Sequence, residues 1–183
     1  MMIEGRAREG PGEGKSRMPY FFTRDELVDA AALVHRQLFP TPQISWPLLS
    51  QAIGADVLVK HENHLPTGAF KVRGGITYVD WLRRTQPTVP GLCTATRGNH
   101  GQSQARAATA AGLRALIYVP HGNSQEKNAA MRAFGATLIE HGHDFDSAKA
   151  EAVRRFGVEP VEGTLDDGAL LRAEAARADA VVN

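Results

Sequence analysis

The chain has 183 residues, 43% hydrophobic and 22% charged, with 21 basic against 20 acidic side chains and a formal charge of +1. That length holds one full core or two small lobes, and the balanced charge excludes a partner bound by bulk charge, whether nucleic acid or an anionic membrane. The lone Cys93 excludes an internal disulfide framework and fits a reducing compartment. No apolar run approaches the roughly 20 residues that span a bilayer and no signal peptide opens the chain, so the expected location is the cytoplasm.

Residues 1–17, "MMIEGRAREGPGEGKSR", are glycine-rich, lack aromatics and carry both charge signs, which predicts a disordered leader. Met18 stands where the amphipathic pattern begins, so translation starts there or the leader is a dispensable arm. Thr23 with Glu26 three residues on reads as a capping box opening a helix over "TRDELVDAAALVHRQL", ended by Pro40 and Pro42. An extended entry, "TPQIS", leads to a short helix from Pro47 that Gly54 closes. "ADVLVKHE" is β-rich. A turn at "NHLPTGAF" precedes a helix through "KVRGGITYVDWLRR".

Strands then alternate with helices: "GLCTAT" and "NHGQSQARAATAAG", "RALIYVP" and "SQEKNAAMRAFG", "ATLIEHG" and "DFDSAKAEAVRRFG". Strands alternating with helices of this length predict βαβ units, hence an α/β fold with an open parallel sheet flanked by helices. The remainder predicts a loop, a helix from Asp166 and a last strand, "ADAVVN". In such sheets ligands bind beyond the carboxyl ends of the strands, in the βα loops.

Two such segments carry chemistry. In "TRGNHGQS", residues 96–103, Gly98 and Gly101 allow close backbone approach, and a helix N-terminus offers free N–H groups to a carboxylate or phosphate. Taken alone it also reads as a plain N-cap turn. Lys71, behind Phe70, falls in the first turn of a helix, where the dipole repels a cation. That placement with partial burial predicts a depressed pKa and a nucleophilic amine; the bland alternative is a snorkelling surface lysine. Lys60 and Glu62 alternate on their strand as a structural pair or a line into the crevice. "HGHD", with His141, His143 and Asp144, lacks a third strong metal ligand and is set aside. Asn123 and Ser124 are set aside as an anion site, and Trp46 and Trp81 read as core or interface.

"KHENHLPTGAFKVRGG" resembles the cofactor-lysine motif of the threonine and serine dehydratases, pyridoxal-phosphate enzymes of fold type II. That motif runs Lys-x-Glu, then Thr-Gly-Ser-Phe-Lys-x-Arg-Gly-Ala, and Lys60, Glu62, Thr67, Gly68, Phe70, Lys71, Arg73 and Gly74 match it. "TRGNHGQSQARAA" is similar to the family's Ser-x-Gly-Asn-His-x-Gln loop at Gly98, Asn99, His100 and Gln102. Thr41, Pro42, Pro120, Lys127, "FGA" and "GHDFDSA" also fall in register, so the resemblance covers residues 20–156.

The resemblance implies pyridoxal 5'-phosphate as cofactor and a small-molecule hydroxy amino acid as substrate. Lys71 would form the internal Schiff base and act as general base on the substrate Cα–H, leading to loss of water and then to a 2-oxo acid and ammonia. Phe70 would lie near the cofactor ring and Asn99 would bond its 3' oxygen. Thr96, Arg97, Gly98, Asn99 and His100 would hold the substrate carboxylate. Residues 18–66 would belong to the larger lobe, 67–160 would form the small α/β lobe, and 161–183 would return into the larger one. A homo-oligomer is expected. A serine racemase, another fold type II amino-acid enzyme and a non-catalytic fragment are the alternatives.

Three departures stand out. Ala69 replaces the family's serine, and Arg97 replaces a small residue. Arg97 either points to solvent or favours a substrate with a second anionic group, such as 3-hydroxyaspartate. The third departure is that the chain reaches Asn183 without the Gly-rich phosphate loop that follows the family's next strand. That predicts exposed apolar sheet faces and self-association.

Overall fold

The computed structural model describes residues 22–155. The leader, the helix from Asp166 and the "ADAVVN" strand lie outside those residues. In chain order the elements are α1 Arg24–His35, β1 Gln43–Ser45, α2 Pro47–Ile53, β2 Leu58–Lys60, a 3-10 turn Glu62–His64, α3 Lys71–Thr85, β3 Gly91–Ala95, α4 Asn99–Ala110, β4 Arg114–Val119, α5 Gln125–Ala133, β5 Thr137–Glu140 and α6 Phe145–Arg154.

The capping box forms as predicted. The Thr23 hydroxyl accepts from the Glu26 N–H at 3.2 Å, and the Thr23 N–H donates to Glu26 Oε2 at 2.6 Å. Pro47 stands at the first position of α2, and Gly54 ends that helix with φ 74°, in the left-handed region where glycine carries no Cβ penalty.

Strands β3, β4 and β5 form a parallel sheet in the order β3-β4-β5, with Cys93 opposite Leu116 and Tyr118 opposite Ile139. Both faces are covered, and the strand alternation sorts their side chains between two cores. Leu92, Ala115, Ile117 and Val119 pack with Val79, Ala105, Ala108 and Met131 on the face of α3, α4 and α5. Tyr118, Cys93 and Leu116 pack with Ala148 and Ala152 of α6 on the other. A third cluster joins α1 to α3 through Val34, Leu38, Val72 and Ile76, closed by Leu65 of the intervening turn.

The extended entry forms a strand, β1, which pairs antiparallel with β2, Ile44 opposite Val59. The faces of the parallel sheet are filled from both sides, and among the described residues the exposed apolar sheet surface is that of the two-stranded sheet, where Ile44 and Leu58 are exposed. Phe39 is 91% and Leu48 81% exposed, and Phe70, Tyr78 and Trp81 add exposed rings on α3 and just before it. Trp46 and Trp81 are each about half exposed, so neither belongs to a core of the described residues.

Candidate active site

Lys71 is the first residue of α3. The turn before it is built by local chemistry. The Gly68 N–H donates to the Leu65 carbonyl at 2.8 Å with Gly68 at φ 63°, and the buried Thr67 hydroxyl donates to the Ala69 carbonyl at 3.1 Å. The bond uses the Ala69 backbone, so replacing serine by Ala69 leaves the turn intact. No side chain caps α3 and no acid stands in its first turn, so the Lys71 ammonium meets the positive helix end without a compensating carboxylate from that turn.

The expected burial behind Phe70 does not occur. Phe70 is 61% exposed and Lys71 is also exposed. The reason is helical phase. The buried stripe of α3 is Val72, Gly75, Ile76, Val79 and Leu82, and Phe70, Tyr78 and Trp81 lie off it.

The base of α3 is fastened by ions. Arg73 grips Glu62 in a two-point pair, Nε to Oε2 at 2.8 Å and Nη2 to Oε1 at 3.1 Å. The Thr41 hydroxyl donates to Glu62 Oε1 at 2.6 Å, and Lys60 Nζ donates to the Thr41 carbonyl at 2.7 Å. The Arg73 guanidinium, its effect opposed in part by burial, holds the Glu62 carboxyl down at about 2. Lys60 and Glu62 are therefore structural partners that converge on Thr41, not a line into a crevice.

Opposite Lys71 stands the N-terminus of α4. Thr96 is buried, its N–H donates to the Tyr118 carbonyl at 3.0 Å, and its hydroxyl accepts from the Gly98 N–H at 3.0 Å. The hydroxyl thus folds the loop. Asn99, the first helical residue, is exposed, and α4 starts without a side-chain cap, so its first N–H groups are open to an anion. Gly101 is needed for packing, because a Cβ there would meet Met131 and Thr96, whereas one on Gly98 would displace only the flexible end of Lys127.

Arg97 is exposed, and its charge reaches Asp144, where it adds slightly to the lowering that the Ser147 backbone N–H chiefly causes. Asn123 and Ser124 are occupied: Asn123 donates to Asn128 at 2.6 Å and Ser124 caps α5 by accepting from the Lys127 N–H. Among the described residues no group of three or more His, Cys, Asp or Glu side chains is placed to hold a metal, and no helix is long and apolar enough to cross a membrane.

Two residues, Thr94 and Ser103, were not read from the sequence. The His100 ring reaches the Thr94 hydroxyl of β3 at 3.1 Å. Burial, and then the nearby Lys71 charge, push the His100 pKa down, which favours the neutral imidazole. The Ser103 hydroxyl donates to the Lys71 carbonyl at 2.5 Å. The one sequence sign of this contact is the mid-helix pair Gly74-Gly75, since interior glycines disfavour a helix unless packing requires them.

The profile of the family described as pyridoxal-phosphate dependent enzyme matches residues 34–170. The biosynthetic L-threonine dehydratase of Pasteurella multocida (strain Pm70) is 38% identical over 113 residues, 62% of this chain and 22% of that protein. The L-threonine ammonia-lyase of Geobacter sulfurreducens is 34% identical over 57% of this chain and 26% of its own length. Among solved structures, a pyridoxal 5'-phosphate-dependent aspartate racemase superposes with TM-score 0.70 at 25% identity, covering 78% of this chain and 46% of that one. Threonine deaminase isoform 2 of Solanum lycopersicum gives 0.65 at 29% identity, covering 85% and 48%. The chain thus spans about a quarter of the length of the curated relatives it matches. It belongs to the pyridoxal-phosphate dependent enzymes.

Proposed function

We propose that this family member is a threonine/serine dehydratase-like lyase, eliminating water from a hydroxy amino acid to leave an enamine, which water then hydrolyses to a 2-oxo acid and ammonia. The observation that carries it is the pairing of an exposed lysine at one helix start with an uncapped helix start opposite, joined through the Ser103–Lys71 bond. The dehydratase and ammonia-lyase relatives support the reaction class.

The described residues fit pyridoxal 5'-phosphate on two counts. The Lys71 amine stands at a solvent-open helix start with no carboxylate among the described residues pairing it, and a Cβ on the adjacent Gly74 would meet nothing within 4 Å, so that flank is open. When bound, that cofactor supplies the electron sink for a carbanion at the substrate Cα. Lys71 would hold it through its Nζ, Phe70 would lie along its ring, and the Asn99 amide would hydrogen-bond it. As general base, Lys71 Nζ would take the substrate Cα proton. Of the backbone at residues 96–100, the N–H groups of Asn99 and His100 at the positive end of α4 would hold the substrate α-carboxylate, since those of Thr96 and Gly98 already donate to the Tyr118 carbonyl and the Thr96 hydroxyl. The His100 imidazole, kept neutral, adds no cation there.

Arg97 would favour a substrate with a second anionic group, such as 3-hydroxyaspartate; its exposure in the same loop and the likeness to an aspartate racemase support this. We further assign residues 18–66 to a larger lobe and 67–160 to the small lobe, in a cytoplasmic homo-oligomer without nucleic-acid or membrane partners.

The test is to incubate the protein with pyridoxal 5'-phosphate and follow absorbance at roughly 410 nm, where such lysine adducts absorb. Borohydride reduction and peptide mapping locate the adduct. A band lost in Lys71→Ala, with 2-oxo acid formed from threonine, serine or 3-hydroxyaspartate, is the expected result. No band and no cofactor uptake would leave the non-catalytic reading in its place. Equal turnover of threonine and 3-hydroxyaspartate, unchanged in Arg97→Ala, would remove the role of Arg97.

A further inference from the structure

The first residue of a helix is held weakly, because its own N–H makes no intrahelical bond. Lys71 has this position, and Phe70 before it provides no cap. The Lys71 carbonyl takes a further bond from another helix, beyond the one its own helix gives it. Ser103, 1% exposed, donates its hydroxyl to the Lys71 carbonyl at 2.5 Å. A helical serine ordinarily bonds its own preceding turn or water; this one bonds across to α3.

The contact needs Gly75. A Cβ there would fall on the Ser103 hydroxyl and 2.8 Å from the Ser103 carbonyl oxygen. The cofactor-lysine motif described above closes on alanine, and this chain has Gly75 at that place. The missing methyl is thus the space that Ser103 occupies. Three residues before Ser103, on the same flank of α4, His100 sits against Thr94 and within the field of Lys71.

We propose that Ser103 and Gly75 form a latch that positions Lys71 against the N-terminus of α4, making Ser103 a positioning residue for the site lysine. The proposal rests on the role given to Lys71 above. Release of the latch frees the first turn of α3, and Lys71 moves away from His100 and the anion-binding loop together.

The first measurement needs no cofactor. The His100 imidazole is titrated by NMR in the wild type, Ser103→Ala, Lys71→Gln and the double variant. His100 faces Thr94 of β3 and Lys71 of α3; burial lowers its midpoint most and the Lys71 charge adds to that, so the part of the lowering lost in Lys71→Gln is the part that reports the Lys71 cation. The expected result is a rise in both single variants and no further rise in the double. Gly75→Ala, which drives Ser103 off by sterics, raises it too. The second measurement is borohydride trapping of pyridoxal 5'-phosphate at Lys71, expected to slow about 5-fold in Ser103→Ala, as for one lost hydrogen bond.

A Ser103→Ala protein with a lower melting temperature but an unmoved His100 titration would overturn the latch and make Ser103 a packing residue only. If no variant takes up cofactor at Lys71, the proposed function fails, while the His100 titration still decides the latch.

Discussion

Glu62→Gln tests the ion cluster that seats the lysine-bearing helix. The carboxylate takes two bonds from Arg73 and one from the Thr41 hydroxyl, and its pKa falls from 4.5 to about 2. A drop of that size corresponds to at most ~3 kcal/mol of folding stability. Glu62 and Arg73 side chains remain 22% and 27% exposed, so solvent screening reduces this to ~2 kcal/mol. In melting temperature the loss is ~4–8 °C for a chain of this size. The sign follows from the depressed pKa: the stabilisation is fully present above pH 4.5, the unfolded value, and is lost as pH falls toward 2. Urea unfolding of wild type and variant at neutral pH and at steps down to the acid limit measures this. The gap should be widest at neutral pH and close within that window. An equal stability at neutral pH, or a gap that persists unchanged on acidification, would refute a charge-based role for the cluster.

Gly101→Ala places a methyl against Met131 and Thr96 in the packed α4–α5 contact, so it should lose ~2 kcal/mol or more in denaturant unfolding; wild-type stability would show that the contact relaxes freely. The Cys93 thiol is pushed up to about 11 by burial, with only partial relief from the Arg155 charge, so it should resist alkylation at neutral pH until the protein is unfolded, and rapid labelling of folded protein would contradict this. Apolar exposure at Phe39, Trp46 and Leu48 should drive self-association in sedimentation, reduced by Leu48→Glu; a monodisperse wild-type monomer would rule it out.

The parallel order of β3, β4 and β5, the helices between them and the Thr23–Glu26 box were legible in the sequence, because each rests on local spacing and capping chemistry. So were the two segments proposed to carry the site, since "LPTGAFK" and "TRGNHGQS" combine turn glycines with residue types that chemistry needs. What spacing along the chain does not specify is which groups meet across it. The β1–β2 pairing joins strands separated by a whole helix. Glu62 and Arg73, free to read as solvated charges, lock to each other and to Thr41 because folding removes water from around them. Phe70 was expected to bury Lys71, but the phase of α3 on α1 and α4 turns the ring outward. The sequence by itself determined the order of elements and the lysine at a helix start. Only the tertiary structure decided that Ser103 would hold that lysine's carbonyl and His100 would share its field, since a helix fixes neighbours three and four residues apart while contacts between helices depend on how closely a glycine lets them approach.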